Sequence, residues 1–120
     1  MFKRHEGKPI KVYVSGPFSH GDEAKNVEIA VDRGEELLQL GFIPYVPHLN
    51  EVWSKYHPHT WDEWLEFDKF WVSQCDALIR IPGISPGGDV EVNYAITLGI
   101  PVFYETEDLL NYFGGDNSNT

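Results

Sequence analysis

Ser85-Pro86-Gly87-Gly88-Asp89-Val90-Glu91-Val92-Asn93-Tyr94-Ala95 is the stretch around which the rest of the chain can be read. It follows a short apolar run, Asp76 to Ile81, broken by Pro82-Gly83, which reads as a strand and its turn. The Ser-Pro-Gly-Gly segment reads as a Gly-rich loop that turns into a helix from about Asp89. Asp89, next to Gly88, is the expected cap, and Glu91 falls in the first turn. On that helix Glu91, Tyr94, Ala95 and Leu98 recur at helical spacing, so Glu91 is expected on the inward stripe. A loop and helix N-terminus of this kind suit an anion. A carboxylate held there is expected to be ionised and can act as a nucleophile. The plainer possibility is a Glu that only satisfies backbone N–H groups.

Working outward, the chain alternates strand and helix. Ile10 to Ser15 is a β-branched and aromatic run closed by Gly16-Pro17, with a loop over 15–21. A helix is expected from about Asp22 to Leu40, with Val27, Ala30, Val31, Leu37 and Leu38 apolar and Gly41 as its stop. Phe42 to Val46 is a second strand, placed at an edge by Pro44. Residues 49–59 read as irregular and aromatic, with at most one helical turn, a possible wall over a pocket. Thr60-Trp61-Asp62-Glu63 is a capping box opening a helix to about Gln74. Ile100 to Tyr104 is a fourth strand, and Thr106 to Tyr112 a last short helix.

This order, β-α-β-α-β-α-β-α, is that of an α/β fold: a flavodoxin/Rossmann-like three-layer sandwich with a parallel sheet of four to five strands. With the first strand central, ligands belong at the C-terminal strand ends beside the switch point, where loops 15–21 and 82–88 lie. Residues 1–120 make one domain. Residues 1–9 and 113–120 are polar and expected to be flexible ends.

The net charge of -10 argues against a global grip on DNA or RNA. No run approaches the ~20 apolar residues of a membrane span, and the polar start does not read as a secretory signal. The single cysteine, Cys75, excludes a disulfide within the chain and fits a reducing cytoplasm. Cys75 itself reads as a core residue.

Three acids interrupt the apolar pattern. On helix 60–74 a stripe of Trp61, Trp64, Leu65, Trp71 or Val72 and Cys75 contains Asp68. An Asp there must be paired or hydrogen-bonded, and its pKa is expected to be pulled up; otherwise it is a half-wet edge residue. Asp76, starting the third strand, is either a site acid or a structural acceptor. Two inward carboxylates, one in an apolar setting and one at a helix N-terminus, form a pair with separated pKa values. That is the equipment of glycosyl transfer. His57-Pro58-His59 lacks a third ligand at a recognisable spacing, so no metal is expected. No cofactor motif is present.

Tyr13-Val14-Ser15-Gly16-Pro17, Asp68 followed by Cys75-Asp76, the 85–95 stretch and Gly99-Ile100-Pro101-Val102 after it together resemble the nucleoside 2-deoxyribosyltransferase family. The resemblance covers roughly residues 10–104 and is closer to the small branch of 2'-deoxynucleoside 5'-monophosphate N-glycosidases. It implies cleavage of the N-glycosidic bond of a (deoxy)nucleoside or its 5'-monophosphate, with release or exchange of the base. Glu91 would be the nucleophile on the anomeric carbon, Asp68 the proton donor to the departing base, and Tyr13 a positioning group. Ser15, Gly16, Ser85 and Gly87 would line the sugar's 5' end, and Pro17 and Gly88 would be further substrate-binding residues. Asp76 would be a further substrate contact, and His48, just past the second strand, a contact to the base edge. The partner implied is a small nucleoside or nucleotide, without a nucleic-acid polymer or a membrane, and the assembly a homodimer or larger. The chain departs from this pattern in loop 15–21, where Pro17, Phe18 and His20 stand in place of an Arg or several small polar residues suited to phosphate. The rival reading is a non-catalytic nucleotide-binding or sensing module on the same fold, which would have no need of two inward carboxylates.

Overall fold

The computed structural model describes residues 2–114. Four parallel strands form the central sheet: β3 (Lys11–Ser15), β4 (Ile43–Tyr45), β5 (Ala77–Arg80) and β6 (Val102–Phe103), in the order β4-β3-β5-β6. β4 is an edge strand, as its Pro44 requires, since proline has no N–H to give a second neighbour. The first strand of the sheet is internal, and the connection direction reverses between β3 and β5.

The strands are buried on both faces, and residue parity decides which side chain goes where. Val12, Val14, Ala77 and Ile79 pack with Ala30 and Leu37 of α1 (Glu23–Gln39) and Leu109 of α5 (Thr106–Tyr112). Tyr13 and Leu78 point the other way, against Val72 of α3 (Trp61–Ser73) and Val92 and Ala95 of α4 (Pro86–Thr97). This is a three-layer sandwich, as the alternation of elements predicts. On α1 the inward face is narrower than the periodicity suggests. Ala30, Gly34 and Leu37 are buried, whereas Val31 and Leu38 lie outside. Gly34 lets the helix approach β4, because a Cβ there would meet Val46 Cγ2 at 2.7 Å.

Three local expectations are corrected. Part of the N-terminal lead-in is a two-stranded antiparallel hairpin, β1 (Arg4–His5) and β2 (Lys8–Pro9). Its turn places Glu6 and Gly7 at positive φ (53° and 81°), and Lys3 N–H bonds Gly41 O at 2.8 Å. The segment after β4 is not irregular: a 3-10 turn over Pro47–Leu49 runs into α2 (Asn50–Tyr56). α4 begins at Pro86, not near Asp89. Ser85 is its cap, accepting the Gly88 N–H at 3.0 Å, and Pro86 occupies the first helical position, where a missing N–H costs nothing. Glu91 therefore sits in the second turn. The rest of the C-terminal tail, 115–120, lies outside the described residues.

α3 opens on the reciprocal capping box between Thr60 and Glu63. Thr60→Ala should cost about 1 kcal/mol and lower the thermal midpoint by a few degrees, read by circular dichroism.

Candidate active site

The alternation that puts Tyr13 and Leu78 on the α3/α4 side of the sheet also puts Ser15 and Arg80 there, at the C-terminal ends of β3 and β5. α4 lays Gly88, Glu91, Val92 and Ala95 against the same face. The result is a carboxylate held over the strand ends. Tyr13 donates its hydroxyl hydrogen to Glu91 Oε2 at 3.0 Å, and Ser15 donates to Oε1 at 2.7 Å. Both donors are fully buried, and Glu91 is only 6% exposed. Burial, first, and then the Glu91 charge push the Tyr13 phenol well above its ordinary value, so it remains a donor.

Asp68, on the inner side of α3, faces this group. Burial, helped by the Glu91 charge and a hydrogen bond to Glu91, pushes its pKa up to about 7. Its Oδ1 is buried without a partner among the described residues. Glu91 is also pushed up by burial, but the Ser15 and Tyr13 hydroxyls, the Arg80 charge and the Asp68 hydrogen bond oppose that push. Three of these four stabilisers belong to Glu91 alone. Both carboxyls lie above their ordinary values, and Glu91 has the more donors for a negative charge, which suits it to the carboxylate and Asp68 to the proton. The groups that favour a Glu91 carboxylate are hydroxyl donors and a guanidinium, and Glu91 lies beyond the first turn of its helix.

Both carboxyls border one cavity of about 480 Å³, large enough for a small organic ligand. Its walls come from loop 16–20, from Pro47 to Ser54, from His59 to Asp68, and from the start of α4. Trp61 and Trp64 of α3 supply aromatic surface, and Trp64 belongs to an edge-to-face chain with Trp53, His59 and Phe67.

The structure brings together most, but not all, of the residues that the sequence singles out. Gly16, His48, Ser85, Gly87 and Gly88 line the cavity with Asp68 and Glu91. Gly88 must lack a side chain, since a Cβ would meet Ser85 Oγ at 2.8 Å and Arg80 Nε at 3.0 Å. Ser15 holds the carboxylate instead of lining the outer cavity. Pro17 is not on the wall; its carbonyl accepts a hydrogen bond from His48 Nε2 at 3.0 Å. Burial lowers the His48 pKa, so the ring is the neutral Nε2–H form. Asp76 is misassigned as a substrate contact. It stands at the N-terminal end of β5, the opposite edge of the sheet, accepting the Lys11 N–H at 2.8 Å with Lys11 Nζ at 3.6 Å. Cys75 is buried, and burial pushes its thiol up to about 12. Among the described residues no group of three or more His, Cys, Asp or Glu is arranged to hold a metal. His59 Nδ1 lies 3.4 Å from Glu63 Oε1.

Arg80 escapes the sequence reading. It is 6% exposed, donates to the carbonyls of Ile81 and Gly83, and pairs with Asp89 at 2.8 Å. The signal was available: a cation inside the apolar run Ala77-Leu78-Ile79-Arg80-Ile81, two residues after Leu78 and so on the same face.

A family model described as a domain of unknown function, DUF7768, matches residues 10–105. No curated protein sequence matches the chain. Among solved structures, a 2-deoxyribosyltransferase from the psychrotolerant bacterium Bacillus psychrosaccharolyticus has the same fold, with a TM-score of 0.57 and 22% identity, over 77% of this chain and 69% of that one.

The Asp68 carboxyl carries a measurable cost. Its folded pKa of about 7 lies above the ordinary 3.8, so the folded state binds the proton more tightly. Stability should fall as pH climbs between those values, and the full cost should be present above 7. Asp68→Asn should stabilise the protein by roughly 2–4 kcal/mol at pH 8 and hardly at all at pH 4, read by urea unfolding at both.

Proposed function

We infer that this chain, which belongs to the DUF7768 family, cleaves the N-glycosidic bond of a nucleoside or nucleoside 5'-monophosphate and releases or exchanges the base. The observation that carries the reading is the Glu91–Asp68 pair: one carboxylate pinned by two buried hydroxyls, one raised carboxyl beside it, both on one cavity. The deoxyribosyltransferase fold supports the same reading.

Glu91 attacks the anomeric carbon, and the bond from that carbon to the base nitrogen breaks. Asp68 gives its proton to the departing base, so the base leaves neutral and Asp68 is left as carboxylate. The sugar is then an ester of Glu91. Water resolves it to free sugar, or the nitrogen of a second base resolves it to a new nucleoside, with Asp68 taking the proton back. Ser15 and Tyr13 fix the direction of attack, because each holds one carboxylate oxygen.

A non-catalytic binding module accounts less well for the site. It has no use for a buried carboxyl that lowers stability at neutral pH, whereas a proton donor requires one. The expected homodimer or larger assembly belongs to this reading too. Trp61, Phe70 and Trp71 leave substantial aromatic surface outside α3, and light scattering reads the assembly directly. Among the described residues no helix is long and apolar enough to cross a membrane.

Purified protein should release or exchange base from at least one member of a panel of nucleosides, deoxynucleosides and their 5'-monophosphates, followed by chromatography. Glu91→Ala should lose at least ~10²-fold in kcat/KM. Wild type and Glu91→Ala equally silent on the whole panel would refute the assignment.

The rate should also depend on pH with a known sign. Asp68 is the acid, so kcat/KM should fall as pH rises through about 7. At low pH the rate should fall as Glu91 takes up its proton. Replacement of Asp68 by Asn should remove the alkaline limb together with most of the rate. An alkaline limb that persists in Asp68→Asn would assign the proton donor elsewhere.

A further inference from the structure

Arg80 and Asp89 form an ion pair that the reaction above does not use. Arg80 closes β5 at its C-terminal end and is 6% exposed. Its register partner on β3 is Ser15, the residue that donates to Glu91 Oε1 at 2.7 Å. One end nitrogen of the guanidinium donates to the carbonyl of Ile81. The other donates to Gly83 O at 3.2 Å and to Asp89 Oδ1 at 2.8 Å. A buried guanidinium is costly unless such bonds are made. Here they tie together the end of β5, the turn after it and the first turn of α4. Gly88 makes the room, since a Cβ there would stand 3.0 Å from Arg80 Nε.

Asp89 and Glu91 are two positions apart at the start of α4, so they point to roughly opposite sides of the helix. The Asp89 side chain is on the wet side, 69% exposed, and borders a second cavity of about 500 Å³ with Asn93 and Tyr104. Glu91 is on the dry side. Arg80 serves both acids: it bonds Asp89, and its charge acts on Glu91. The two carboxylates therefore compete for one positive charge. The competition is unequal, because water and salt screen Asp89 but screen little of what passes between buried groups.

We propose that Arg80 is a positioning residue for Glu91, and that Asp89 sets how much of its charge Glu91 receives. The fork of Arg80 fixes the start of α4, and with it the direction from which Glu91 enters the site. Its charge favours the Glu91 carboxylate. Asp89 holds the fork in place and takes part of that charge away. The place of this device in catalysis rests on the glycosidic reading; its hold on Glu91 does not. The other groups that face Glu91 are Tyr13 and Ser15 on β3 and Asp68 on α3, with Tyr45 of β4 against Tyr13. Farther round the cavity are Glu51, His20, His48 and His59.

The test is the titration of Glu91 itself, followed by carboxyl 13C NMR on the full chain, with the signal assigned by its loss in Glu91→Gln. Asp68 and Glu91 titrate as a pair, so the variants are made in an Asp68→Asn background. Arg80→Met should raise the Glu91 midpoint by about one pH unit or more, since a nearby cation is lost. Asp89→Asn keeps an amide oxygen for Arg80 and removes only the charge. It should lower the midpoint, by a smaller amount because Asp89 is screened. Arg80→Lys should stay near the parent midpoint yet melt at lower temperature, because lysine carries the charge without the fork. Shifts of the same sign in Arg80→Met and Asp89→Asn overturn the inference, since a plain structural clamp would disturb Glu91 alike in both. A midpoint unmoved in Asp89→Asn overturns it too. Should Arg80→Met fail to fold, Asp89→Asn and Arg80→Lys decide the matter. With Asp68 restored, the acid limb of kcat/KM should move in the same directions. No base release from wild type, with the midpoints shifted as expected, overturns the glycosidic reading and leaves the hold of Arg80 and Asp89 on Glu91 standing.

Discussion

The hydroxyls of Tyr13 and Ser15 on the two oxygens of Glu91 tie the fold to the site. A buried carboxylate with no donors would cost several kcal/mol and would take up a proton instead. With two short bonds and a nearby guanidinium it can keep its charge. The geometry behind those bonds is simple. Tyr13 and Ser15 are two residues apart on a central strand, so they share one face, and α4 crosses that face with Glu91 turned inward. Moving β3 by one residue in register would turn both hydroxyls to the α1 side and leave Glu91 without partners.

The start of α4 serves this arrangement. Ser85 caps the helix, Pro86 sets its first turn, and Gly88 allows Arg80 and Ser85 to pack beneath it. A Gly-Gly pair before an acid looks like a phosphate loop because glycines are the usual means of bringing backbone N–H groups to an anion. Here Gly88 serves close packing inside a helix, and its N–H and that of Asp89 bond Ser85. Gly87 stands apart from that packing, since a Cβ there would meet only Trp61 Nε1, at 4.0 Å.

Much of the rest was legible. The strand and helix order came from runs of β-branched residues, the Gly stops and the Thr60–Glu63 capping box, all of which act locally and can be read locally. Pro44 marked the edge strand for a reason that does not depend on context. Asp68 stood out because an acid within a Trp-rich stripe must be satisfied or functional, and its raised pKa follows from the same burial. What failed depended on contacts distant in sequence. Asp76 looked like a site acid until β5 was oriented, since a residue at the start of a parallel strand is at the far end from the ligand edge. The stretch 49–59 hid its helix because Trp53, Tyr56 and the neighbouring prolines and histidines weaken a helical pattern. Its stability comes from packing of Trp53 against Trp64 and Phe67 of the next helix, which no local rule sees.

The site also shows how a marginally stable domain can carry a strained acid. A carboxyl raised to about 7 costs the folded state at neutral pH, and it persists only if the surrounding structure over-determines it. Around Asp68 that support comes from α3, fixed at its start by the capping box and along its length by aromatic contacts that run from Trp53 through Trp64 and Phe67 to Trp71 and Tyr45. Tyr45 is an edge-strand residue and its ring also meets Tyr13. The aromatic chain thus runs from the cavity wall to the phenol that holds the nucleophile. A change in α3 packing would therefore alter both members of the carboxyl pair at once: Asp68 through its helix, and Glu91 through Tyr13. The high aromatic content of this small chain is, on this view, the rigid frame that keeps two carboxyls close together in a place where either alone would be costly.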